Sequence, residues 1–295
     1  MQVNIQGDAV MTAPQRPDFT RREFLGATLG AGFALAVQPV CAQTRIVTPE
    51  LGLATGESLI PAADRAIPAY WARPEGQGPF PTLLVVSEIF AVHEYIRDIC
   101  RRLAHQGYLA VAPELFVRQG DPRQLGSIPQ IMEDIIARVP DEQVQSDLDA
   151  TAAWAPQQGG DPERLGITGF CWGGRQVWLY AARNPKLKAG VAWYGRLEGA
   201  ASPLTPTYPR QVADQLNAPV LGLYGGADPS IPPDTVASMV EALAASSNPA
   251  SQASHIEVYP EAPHAFHADY RPSYRPQAAA DGWQRMLAWF RAQGL

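Results

Sequence analysis

Leu165-Gly166-Ile167-Thr168-Gly169-Phe170-Cys171-Trp172-Gly173-Gly174 is an apolar run that stops abruptly in a Gly-x-Cys-x-Gly-Gly turn. Behind it, Gln176-Val177-Trp178-Leu179-Tyr180-Ala181-Ala182 is helix-compatible. A strand, a sharp turn and a helix, with one reactive side chain at the turn, make the pattern of a nucleophile elbow. Cys171 holds the nucleophile position. Gly169 and Gly173 flank it because so tight a turn leaves no room for a Cβ. The turn also sets the thiol above a helix N-terminus, whose partial positive charge favours a thiolate. A lone cysteine after a strand is ordinarily core filler, since free cysteine is among the most buried residue types. The glycine frame favours the nucleophile, provided that a base and an orienting acid follow.

Outward from the elbow, buried strands alternate with helical patterns. Thr82 to Ser87 is a continuous apolar run, as expected of a strand covered on both faces. Tyr108–Ala112, Leu187–Tyr194, Pro219–Tyr224 and His255–Tyr259 read as further strands. Helical spacing predicts helices over Glu94–Ala104, Pro129–Ala137, Asp141–Trp154, Pro233–Ala245 and Gln277–Arg291. Ser58–Pro61 and Ile67–Ala72 read as two short strands joined near Ala63-Asp64-Arg65, with Pro68 favouring an edge position. Residues 43–55 read as an irregular leader. The alternation predicts an α/β fold, a doubly wound, mostly parallel sheet with helices on both faces. No composition break or internal repeat divides 43–295, which is expected to be one domain.

Residues 1–42 are expected to be removed. Thr20-Arg21-Arg22-Glu23-Phe24-Leu25 has the twin-arginine form, an apolar small-residue stretch follows to Val37, and Val40-Cys41-Ala42 suits cleavage after Ala42. The stretch is short and glycine-rich for a membrane span. A periplasmic or secreted protein is therefore expected, handled by the twin-arginine export machinery and left without a stable membrane anchor. Cleavage would remove three basic and three acidic residues, so the net charge stays at −6. That acidity, without basic clusters, argues against nucleic acid or anionic lipid as a partner. Hydrophobic residues make up 46% and charged residues 18%, enough apolar material for a core. Cys100 and Cys171 remain. Cys100 lies on the helical pattern Ile96, Ile99, Leu103 and reads as core, so no disulfide is expected between them.

In open α/β sheets functional groups gather at the C-terminal ends of strands. Glu88, Cys171, Asp228 and His264 all fall there. A cysteine is strongly nucleophilic only as thiolate and needs a base or a cation beside it. His264 can take the proton and Asp228 can orient the imidazole. Asp228, in Gly-Gly-Ala-Asp-Pro, also suits a turn. His267 competes with His264 for the base position, and His93 is close enough to Glu88 to line a pocket; His105 and His255 fall at a helix end and a strand start. No H-E-x-x-H or C-x-x-C spacing points to a metal.

Six segments together resemble the dienelactone hydrolase (carboxymethylenebutenolidase) family: Ser87-Glu88-Ile89-Phe90, Pro113 to Gly120, Gly169 to Gly174, Trp193-Tyr194-Gly195, Tyr224 to Asp228 and Pro263-His264-Ala265-Phe266. The resemblance covers 55–295 and implies an α/β-hydrolase fold and a Cys171–His264–Asp228 triad acting on a small ester or lactone through an acyl-enzyme. It also implies that Glu88 interacts with the cysteine and helps control its ionisation. The backbone N–H groups of Ile89 and Trp172 would form the oxyanion hole, and Arg118, Phe90, Tyr194, Arg196 and Phe266 would contact substrate. No cofactor or metal is implied, and a monomer is expected. Two positions depart from the family pattern. Ala268 stands where a second carboxylate-binding arginine is expected, with Arg196 and Arg271 as candidate replacements, and Pro263 replaces the usual glycine, which fixes φ there. A hydrolase-fold binding protein without turnover is the alternative; a thiol redox protein would need a resolving cysteine that the elbow lacks.

Overall fold

The computed structural model describes residues 44–295; the leader expected over 1–42 lies outside them. Its strands are β1 (Leu53–Pro61), β2 (Ala66–Pro74), β3 (Phe80–Val86), β4 (Leu109–Pro113), β5 (Gly160–Phe170), β6 (Leu187–Trp193), β7 (Val220–Gly225) and β8 (His255–Tyr259). They form one sheet in the order β1-β2-β4-β3-β5-β6-β7-β8. β1 and β2 make an antiparallel hairpin, and β2 runs antiparallel to β4. From β4 to β8 every neighbouring pair is parallel. This is the arrangement of an α/β-hydrolase. The helices are α1 (Glu94–His105), α2 (Ile128–Asp134), α3 (Asp141–Trp154), α4 (Trp172–Arg183), α5 (Pro233–Ala245), α6 (Pro249–Ala253) and α7 (Pro276–Ala292).

The period-2 alternation of strands builds two cores. On β4, Leu109 and Val111 join Ile60, Ile67, Ala69 and Trp154 in a small cluster on one face. Ala110 and Ala112 point the other way, into the main core with Ile96, Ile99, Cys100 and Leu103 of α1. A strand packed on both faces must be apolar throughout, and β4 is buried at all five positions. Cys100 is buried there as a free thiol.

Two expectations need correction. β1 starts at Leu53, inside the stretch read as irregular, because Leu53 pairs with Pro74 in the hairpin register. Pro68 is also not on an edge strand, since β2 pairs on both sides. It is tolerated because the β4 ladder stops at Ala69. The Pro68 carbonyl accepts from the Glu114 N–H (2.8 Å) on that side, beyond the ladder. A residue's N–H and C=O share one side of a strand, so its missing donor costs the β1 ladder nothing.

Candidate active site

The parallel strands deliver five segments to one edge of the sheet: Ser87–His93 after β3, Cys171 after β5, Tyr194–Gly195 after β6, and the loops carrying Asp228 and His264 after β7 and β8. Among the described residues, the non-glycine residues with positive φ are Ala91, Cys171, Tyr194 and Ala265, and all four lie in these segments. Such conformations cost about 1–3 kcal/mol each and persist only where the surroundings impose them.

Glycines impose the elbow. Cys171 sits at φ 55°, ψ −115°, between β5 and the first turn of α4. A Cβ on Gly169 would lie 2.5 Å from the Gly173 carbonyl oxygen, and one on Gly173 would lie 2.4 Å from that of Val86. One on Gly174 would meet the Trp193 oxygen at 2.5 Å, and one on Gly195 the Arg175 nitrogen at 2.3 Å. The Cys171 N–H donates to the Trp193 carbonyl at 2.9 Å. The turns after β3, β5 and β6 thus touch backbone to backbone.

His264 Nε2 lies 3.1 Å from Cys171 Sγ and His264 Nδ1 lies 2.6 Å from Asp228 Oδ2. Asp228 also accepts on Oδ1 from the Ser230 N–H (2.8 Å) and hydroxyl (2.6 Å). The turn suggested by Gly-Gly-Ala-Asp-Pro is therefore present, as an Asp side chain bonded two residues on. One oxygen makes the turn while the other faces the imidazole. Burial opposes charge at both groups. At His264 it is overcome by the charge of the Cys171 sulfur and by Asp228, which raise the imidazole to about 10. At Asp228 it is overcome by His264 and Ser230, which leave the carboxyl below its ordinary value.

His267 does not reach this site. It is buried, shares a 2.7 Å hydrogen bond with the Tyr95 hydroxyl, and stacks on Trp283 at 5.8 Å. Burial, then the neighbouring Arg102, hold its pKa well below the usual value. Glu88 departs from expectation. Its Oε2 accepts from His93 Nε2 and from the Tyr270 hydroxyl, each at 3.0 Å, and no hydrogen bond joins it to Cys171 among the described residues. His93 thus lines the Glu88 pocket, as its sequence position suggested.

Trp172 occupies the first turn of α4, where backbone N–H groups have no intrahelical partner. Neither its N–H nor that of Ile89 donates to another backbone group among the described residues. Phe90 is nearly buried, with Arg271 over its ring at 5.8 Å. Arg196 is exposed on the turn after β6.

Arg118 is corrected: its guanidinium is committed elsewhere. It donates from Nε and Nη2 to Asp64 and from Nη1 and Nη2 to Asp147, at 2.6 to 3.1 Å. Two carboxylates hold its fork, leaving one of its five N–H donors. Phe266 and Tyr194 are also corrected. Both rings are fully buried, packing on each other at 5.3 Å and on Trp193, so they support the site from beneath. Tyr194 does present its ring to His264, at 5.3 Å.

Sequence reasoning missed Ser230, Tyr270 and Tyr95. Only Ser230 carried a local signal, as the residue two after a turn aspartate. Among the described residues no group of three or more His, Cys, Asp or Glu is arranged to hold a metal.

Known proteins share the sequence pattern and the fold of this chain. The family model described as the dienelactone hydrolase family matches residues 67–294. A provisionally named carboxymethylenebutenolidase of Methylorubrum extorquens is 58% identical over 277 residues, covering 94% of each chain. A protein of the same provisional name in Escherichia coli K12 is 54% identical over 271 residues, covering 92% of this chain and 98% of its own. The crystal structure of a provisionally named dienelactone hydrolase from Klebsiella pneumoniae superposes with a TM-score of 0.78 at 57% identity, covering 81% of this chain and 98% of the other.

Proposed function

This chain belongs to the dienelactone hydrolase family, and from that membership we propose that it cleaves carboxylic esters or lactones through a covalent intermediate on Cys171. It is a hydrolase by family; the cysteine mechanism is our reading. The observation that carries it is the unbroken chain from Cys171 Sγ through His264 to Asp228, at 3.1 and 2.6 Å.

Cys171 attacks the carbonyl as thiolate, with the backbone N–H groups of Trp172 and Ile89 receiving the oxyanion. His264, holding a proton, gives it to the leaving alkoxide. Acylation turns the sulfur into an uncharged thioester. That removes the strongest of the influences raising the His264 pKa. The imidazole, now a weaker acid-holder, takes a proton from water and directs the hydroxide to the thioester. One histidine serves as acid and then as base because the charge of its neighbour changes between the steps. Intact mass after mixing with an activated ester tests this: an acyl adduct on Cys171 that decays with product release is expected. An adduct that never decays, or none, would favour the binding protein without turnover.

For a substrate carboxylate, Arg271 fits better than Arg118. Its guanidinium lies over the ring of Phe90, the residue that follows Ile89 in the chain, and makes no hydrogen bond or ion pair among the described residues. Arg271→Ala is expected to lower kcat/KM about tenfold or more for substrates bearing a carboxylate, relative to neutral ones. Arg118→Ala should leave that ratio unchanged and cost about 1–3 kcal/mol of stability, since Asp147 loses its partner. The opposite pattern would return the clamp to Arg118.

We also propose that 1–42 directs twin-arginine export to the periplasm or medium. Terminal sequencing of the exported form should begin at Gln43; an intact Met1 outside the cytoplasm would refute cleavage.

A further inference from the structure

The segment Ser87–His93 carries the Ile89 N–H assigned above to the oxyanion, and it is strained at Ala91, where φ is 61°. A non-glycine residue there needs an external hold. Two side chains from outside the segment supply it, both at Val92. The Val92 N–H donates to Glu114 Oε2 at 3.3 Å, and the Val92 carbonyl accepts from Arg123 Nη1 at 3.2 Å. The same Nη1 lies 2.8 Å from Glu114 Oε1, so the two side chains form an ion pair around one residue's backbone. Each is fixed from behind. The Glu114 N–H donates to Pro68 of β2 at 2.8 Å, and Asp121 accepts from Arg123 Nε at 2.8 Å. The pair is only 14% and 20% exposed, so water competes weakly for these contacts.

We propose that Glu114 and Arg123 are positioning residues for the oxyanion donor, acting through Val92 and not on the nucleophile. The proposal rests on the oxyanion role read for Ile89. Neither residue makes a hydrogen bond or ion pair with Cys171, His264 or Asp228 among the described residues. Removing either should therefore loosen the turn after β3 while leaving the thiol as reactive as before. Glu114→Gln keeps an oxygen for the Val92 N–H and should be the mild variant.

The test uses the full 295-residue chain as wild type, Glu114→Ala, Glu114→Gln and Arg123→Met, with three readouts. Turnover of an activated ester should fall about tenfold or more in kcat for Glu114→Ala and Arg123→Met, with KM within about threefold, and recover largely in Glu114→Gln. The rate of Cys171 alkylation by iodoacetamide should stay at the wild-type value. Amide exchange should rise in the peptide covering 87–93 and not in the one covering 169–174. Unchanged exchange over 87–93 overturns the proposal, as does unchanged kcat in an active enzyme. Loss of alkylation together with kcat in both variants also overturns it, because the pair would then be supporting the fold at large. Should the wild type itself turn over no ester, the hydrolase reading fails on its own, and the exchange data still decide whether the pair holds the turn.

Discussion

Cys171→Ala is expected to lower kcat on small lactones and activated esters by about 10⁴-fold or more, leaving only what binding and the oxyanion donors supply. Among the described residues no second thiol reaches the site. Among the described residues the other cysteine, Cys100, is buried on α1 in the main core. The same substitution has a second consequence that can be read without substrate. Burial works to lower the His264 pKa, and the charge of the Cys171 sulfur with Asp228 raises it to about 10. Alanine deletes the sulfur's share. The imidazole should then titrate at lower pH, nearer the ordinary histidine value, in a proton NMR titration of the variant. Turnover at the wild-type rate, or an unmoved His264 titration, would sink the cysteine mechanism.

Gly173→Ala is expected to damage both stability and catalysis. The new Cβ would lie 2.4 Å from the Val86 carbonyl oxygen and 2.6 Å from that of Ser87. Both atoms are backbone at the end of β3, so no side chain can swing aside. Either α4 moves away from the sheet or the turn after β3 moves, and that turn leads into Glu88 and Ile89. Overpacking of this kind costs about 1–3 kcal/mol and sometimes more. For a chain of this size that is a fall in melting temperature of about 2–6 °C. Displacing Ile89 or the sulfur by an ångström should lower kcat by about a hundredfold. A variant with wild-type melting temperature and turnover would show that the turns do not touch as described.

The fold was largely legible because strands buried on both faces are written as unbroken apolar runs. Thr82–Ser87 and Pro219–Tyr224 could be little else, and the observed β3 and β7 end within a residue of those readings. α3 and α5 match their expected bounds because helical periodicity persists over three turns or more. The start of β1 was not legible, since Leu53 becomes a strand residue only by pairing with Pro74 across the hairpin. The same division runs through the site. Cys171, Asp228 and His264 are marked by their own local sequence, each on a turn after a strand. Arg118 is marked in the same way, but its partners Asp64 and Asp147 lie 54 and 29 positions away. Nothing near Arg118 announces that two carboxylates have already claimed it. The burial of Phe266 and the turning of Glu88 toward Tyr270, 182 positions on, are likewise products of packing.

The interlock of Gly169, Gly173, Gly174 and Gly195 has a consequence for how such a site can change over generations. The position of residue 171 is set by glycines and carbonyls around it, and the cysteine side chain takes no part in holding the turn beyond its own backbone bonds. The elbow is a socket and the thiol is what has been plugged into it. A lineage can exchange the reactive atom by a single codon step without rebuilding the loops, whereas replacing any of the four glycines would demand compensation in a neighbouring turn. Chemistry is therefore the easily varied trait here, and the pinch of backbone around it is the slow one.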